Sequence, residues 1–208
     1  MFKHLCLLLS ALALGAWSLP ALADSVTYQV TINTTSAVST DGYIDLELNP
    51  NSASSSAISA SVFNFSGATV TSYDPQAANG SAGSVSGSLP GSLSFTNSSV
   101  LNDYTQSIVF GTDSIVFDVT LTGVGVVASD GSDFQVAFYD DSGDSLFTSD
   151  PSGIAGVINI NTDGSVTPDS LSSDVSIAAT PEPGTLSLFG LGGLVALLLG
   201  RRAAVTAR

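Results

Sequence analysis

Between Asp24 and Thr180 the chain shows little helical spacing, and apolar residues recur instead at every second position. Val26, Tyr28, Val30 and Ile32 alternate with Thr27, Gln29 and Thr31, and Ile44, Leu46 and Leu48 alternate with Asp45 and Glu47. Ile115, Phe117, Val119 and Leu121 follow the same rule, as do Phe134, Val136 and Phe138. Such alternation places one side of a strand in a core and the other in water. Further strands are predicted near Ile58–Phe65, Ala68–Tyr73, Leu93–Thr96, Thr105–Phe110 and Gly156–Ile160. Turn formers lie between the runs, among them Thr40-Asp41-Gly42, Leu89-Pro90-Gly91, Ser129-Asp130-Gly131, Asp141-Ser142-Gly143-Asp144 and Thr162-Asp163-Gly164. About nine to eleven short strands predict an all-β fold, an antiparallel β-sandwich of jelly-roll-like type, flanked by a signal helix and a transmembrane helix. The sandwich is expected over residues 24–166. The Ser-rich pieces Asn51–Ser56 and Asn79–Ser88 read as mobile surface loops, and residues 167–179 as partly a last strand and partly a spacer.

The two ends have a different pattern. Lys3 and His4 precede an apolar run from Leu5 to Leu19, followed by Pro20 and the small residues Ala21 and Ala23. This is the plan of a signal peptide over residues 1–23, cut between Ala23 and Asp24. At the other end Pro181-Glu182-Pro183 precedes an apolar run from Leu186 to Leu199, then Arg201 and Arg202. A span of about 185–200 suits a membrane helix held with its basic end in the cytoplasm. Residues 180–208 resemble the PEP-CTERM sorting domain, a tail also catalogued under an ice-binding protein C-terminal label. The resemblance implies recognition and cutting by the membrane enzyme exosortase, with Pro181, Glu182 and Pro183 as the motif and Arg201 and Arg202 as the basic stop. Thr180 stands where the family often has Val, and Gly184 where it often has Ser, Ala or Thr. The body, through Gly42-Tyr43-Ile44-Asp45, Asn64-Phe65-Ser66-Gly67 and Leu101-Asn102-Asp103-Tyr104, is similar to a recurring group of PEP-CTERM proteins without established activity. That implies a surface or matrix role: an inner-membrane precursor, processed by signal peptidase and exosortase, then a cell-surface or extracellular product, with extracellular polysaccharide as the partner.

Charge narrows the chemistry. All four Lys and Arg residues lie in the two end segments, whereas residues 24–180 hold 17 of the 18 acidic residues, a side-chain charge of −17 with no internal salt bridge possible. A surface of that sign repels phosphate backbones, so nucleic acid is not an expected partner. Cys6, His4 and Trp17 all lie in the leader, which leaves the body without disulfides, thiol chemistry, Ser-His triads or phosphate clamps. Carboxylates remain. Asp140, Asp141, Ser142 and Asp144 around Gly143, with Asp130 and Asp133 near Gly131, offer the hard oxygens calcium prefers without matching an EF-hand. Tyr28, Tyr43, Tyr73, Tyr104 and Tyr139 are the aromatic residues with a polar handle for sugars. A hydroxyl array of Thr-x-Thr type is limited to pairs such as Thr69 with Thr71 and Thr120 with Thr122. The expectation is therefore a secreted, non-enzymatic protein with no catalytic residues or required cofactor. The alternative is a calcium-dependent carbohydrate-binding module, and a two-acid hydrolase is a more distant one.

Overall fold

The computed structural model describes residues 25–72 and 80–181. In chain order the strands are β1 (Ser25–Ile32), β2 (Asp41–Pro50), β3 (Ser59–Ser66), β4 (Ala68–Val70), β5 (Gly80–Ala82), β6 (Val85–Gly87), β7 (Leu93–Thr96), β8 (Asp103–Phe110), β9 (Ile115–Thr122), β10 (Ser132–Asp140), β11 (Ile154–Ile160), β12 (Val166–Ser170) and β13 (Val175–Ala179). No helix occurs among the described residues. One sheet runs β13-β1-β9-β3-β7-β6, the other β12-β11-β10-β2-β8-β4 with β5 also on β8. Every strand pair is antiparallel. The first is the β1 sheet and the second the β2 sheet.

The alternating residues close the two sheets over one core. Val30, Ile32, Val62, Phe95, Phe117 and Val119 from the β1 sheet are buried together with Ile44, Leu46, Leu48, Phe134, Val136 and Phe138 from the β2 sheet. Phe95 meets Phe134 edge-to-face at 5.9 Å. Each such side chain contributes about 1.5–3 kcal/mol through burial, and no ion pair shares the task. Two interruptions have local causes. A bulge between Val136 and Ala137 lets Ala137 and Phe138 both turn away from water. The register shift between Phe63 and Ser66 puts Asn64 at φ +59°, its side chain donating to Asp118 at 2.7 Å.

Two stretches differ from the reading of the sequence. Residues 167–179, expected to include a spacer, are built into the domain as most of β12 and all of β13, one strand in each sheet. Residues 79–88, expected as a mobile loop, contain β5 and β6. Residues 79–88 are mostly Ser, Gly and Ala and pair through backbone groups without apolar alternation, while in 167–179 only Val175 and Ile177 alternate, over too short a run to mark a strand. Residues 51–56 are a loop as expected, stitched down where Ser55 Oγ donates to Gly131 O at 2.5 Å. The signal peptide, Tyr73 and the membrane span at about 185–200 lie outside the described residues.

Candidate functional site

The residues marked as calcium candidates do not converge. Asp140 Oδ1 accepts the amides of Ser142 at 2.8 Å and Asp144 at 2.9 Å, which makes its carboxylate the cap of the turn after β10. Asp130 sits before the other end of β10, where it accepts Ser52 Oγ at 2.6 Å. A nine-residue strand separates the two groups, about 30 Å at strand rise. Among the described residues no group of three or more His, Cys, Asp or Glu is arranged to hold a metal. Of the tyrosines, Tyr28, Tyr43 and Tyr104 are buried, and Tyr139 is half-buried. Pro181 is exposed and is the last described residue. Glu182, Pro183, Arg201 and Arg202, like Ala21, Ala23 and Asp24, lie outside the described residues.

What the fold does assemble is a carboxylate cluster on the outer face of the β2 sheet. The register sets Glu47 beside Asp103 and Gln135, and Asp45 beside Thr105 and Ala137, with Asp133 beside Asn49. Asp45 is half-exposed at its edge, yet its Oδ1 is buried and finds no hydrogen-bond partner among the described residues. Burial pushes the Asp45 carboxyl up to about 8, helped by the neighbouring Asp103 carboxylate and by the charge of Glu47. Glu47 is raised by burial, against the donation from Asn49 Nδ2, and further by Asp103 and Asp133. Burial raises Asp133 as well, opposed by Gln135 Nε2 donating at 2.8 Å. Tyr139 is raised by burial and then by the charges of Asp45, Glu47 and Asp103. At neutral pH Asp45 therefore holds a proton inside an anionic group that has no cation to answer it.

The outer face of the β1 sheet carries one carboxylate, Asp118, which accepts from Gln29 and Asn64, and beside it two rows of hydroxyls. Register carries one row of hydroxyls through Thr27, Thr120, Ser61, Ser94 and Ser86, and Thr180 joins it by hydrogen bonds to Thr27 O. A second row runs Ser25, Thr122, Ser59 and Thr96. Neighbours in a row are about 4.8 Å apart, the spacing of paired strands. Neither row contains an ionisable side chain, and Thr27 Oγ1 lies 2.8 Å from Thr120 Oγ1. Ser59, Thr96 and Thr122 also line an open pocket of about 650 Å³, together with Asn51, Ser52, Ile58, Ser99 and Val100. Sequence reasoning identified Thr120 with Thr122 as an isolated pair, because a row that crosses strands leaves no trace along the chain.

Residues 179–203 match the family model described as the PEP-CTERM protein-sorting motif, and the match begins on the last residue of β13. It supports exosortase-dependent sorting of a secreted protein through a membrane-anchored precursor. No curated protein and no solved structure matches the chain.

Proposed function

We propose that this chain, which carries a PEP-CTERM protein-sorting motif at residues 179–203, is a non-enzymatic cell-surface or extracellular-matrix protein of a polysaccharide-producing Gram-negative bacterium. On this reading signal peptidase cuts between Ala23 and Asp24. The tail then holds the precursor in the inner membrane, with Arg201 and Arg202 on the cytoplasmic side, until exosortase cuts near Pro181-Glu182-Pro183. Strand order supports a jelly roll as the delivered domain: β1-β9-β3-β7 in one sheet and β2-β8-β4 in the other place late strands between early ones, as the chain crosses repeatedly from sheet to sheet.

The observation that carries the polysaccharide partner is the pair of uncharged hydroxyl rows with the pocket beside them, on a domain of charge −17. Hydroxyls both donate and accept, as sugar hydroxyls do, and a neutral or anionic polymer meets no carboxylate in these rows. A volume of about 650 Å³ falls within the range of small-ligand sites. A glycan array with the processed protein tests this directly. Binding to neutral glycans that weakens in Ser59→Ala with Thr122→Val, at unchanged melting temperature, supports the reading; no retention on any neutral glycan removes the partner.

A calcium-dependent carbohydrate-binding module is the second reading; what favours it is the acidity of the body, 17 carboxylates without a Lys or Arg, and not the cluster of Asp45, Glu47, Asp103 and Asp133, which is not arranged to hold a metal. Thermal melts in millimolar calcium, against sodium chloride of equal ionic strength, separate the two. A rise specific to calcium supports a metal site, and equal melts argue against one.

A further inference from the structure

The sorting motif has no slack between it and the folded domain. Strand β13 ends at Ala179, and the next residue, Thr180, is fastened to β1: its N–H donates to Thr27 O at 2.8 Å and its Oγ1 donates to the same oxygen at 3.1 Å. Pro181 follows at once, exposed and without an N–H to extend the ladder. A protease grips its substrate as an extended strand that reaches several residues to either side of the cut bond. Here the residues before Pro181, Ile177 to Thr180, already spend their extended backbone on β1.

The geometry points to β13 as a handover strand: it must peel from β1 before the tail can be cut, and its docking sets the rate of processing. This rests on the reading that the tail is cut near Pro181-Glu182-Pro183. The strand is suited to the task. It stands at the edge of its sheet, so β1 is its sole ladder partner there. Only Val175 of its five residues is buried. Its departure leaves β1 intact, because β1 pairs along its whole length with β9, from Ser25 opposite Thr122 to Ile32 opposite Ile115. What holds β13 from the side of the core is a notch at Gly156 of β11. A Cβ placed there would lie 3.0 Å from Ile177 Cδ1 and 3.2 Å from Val175 Cγ1, closer than those side chains tolerate without moving. The notch lies in a different strand from the motif, so docking can be altered with the tail sequence untouched.

The test is the half-time of tail loss from the full-length precursor in membranes of the producing bacterium, followed by mass. Gly156→Val and, separately, a short Gly-Ser insertion between Thr180 and Pro181 are expected to shorten it roughly tenfold, the change in open population that about 1.4 kcal/mol of docking represents. A cross-strand disulfide from Gln29→Cys with Ala178→Cys, which face each other in register, is expected to stall processing until reductant is added. The proposal is overturned if wild type is cut while the insertion leaves its half-time unchanged, or if the oxidised double-cysteine variant is cut as fast as the reduced one. Wild-type precursor that is never cut strikes instead at the reading of the tail itself.

Discussion

Asp45 holds its proton because the fold withholds water and supplies only further acids, Asp103 and Glu47 nearest, with Asp133 and Tyr139 in the same cluster. The folded value of about 8 lies above the unfolded value of 3.8, so the native state binds the extra proton. Its contribution is complete below the unfolded value and is lost progressively up to pH 8; Glu47 and Asp133, raised in the same direction, add to the loss. Melting temperature should therefore fall from pH 5 to pH 9, and Asp45→Asn should flatten that fall and melt higher at the alkaline end. An Asn variant with the wild-type slope contradicts the assignment. Phe147 offers a second residue-scale check. It is buried at φ +57°, held by edge contacts to Phe110 at 5.4 Å and Phe138 at 5.6 Å. Phe147→Ala should cost roughly 3–5 kcal/mol in denaturant unfolding, from lost packing with the backbone strain retained. Phe147→Gly, which relieves that strain in the connection between β10 and β11, should be the more stable of the two.

Strands with an apolar rhythm were legible in the sequence, and those without one were not. Val26 to Ile32 and Ile115 to Leu121 announce β1 and β9 because one face of each is core. By contrast β5, with all three residues exposed, and β12, with one residue of five half-buried and a proline within it, show no such rhythm. The candidate surfaces were harder still. Asp45, Asp103 and Asp133 come from three strands, and the hydroxyl rows from five, so that only register brings them together. Close approach between strands is also an element-scale property. A Cβ on Gly42 of β2 would lie 2.3 Å from the carbonyl oxygen of Tyr139 in β10, and a backbone atom cannot step aside as a side chain can. Gly42→Ala is accordingly expected to cost about 2–3 kcal/mol or more, measured by denaturant unfolding. A change below about 0.5 kcal/mol would mean the two strands are not so tightly joined.

For the whole molecule, every cation sits in a segment read as removable, and both of those segments leave the domain at one corner, where Thr27 meets Thr180. The body carries 17 acidic residues and no Lys or Arg, so self-repulsion opposes its compact state and salt should raise its melting temperature by screening. A melting temperature indifferent to salt between about 10 mM and 1 M would mean that the carboxylates are already neutralised by another route. Export, double processing and release as an anionic domain form a single claim, and the intact mass of the protein recovered from the producing bacterium tests it most directly. The account predicts a product that begins at Asp24 and ends within a few residues of Pro183; a mass that still includes Lys3 and Arg208 would contradict it.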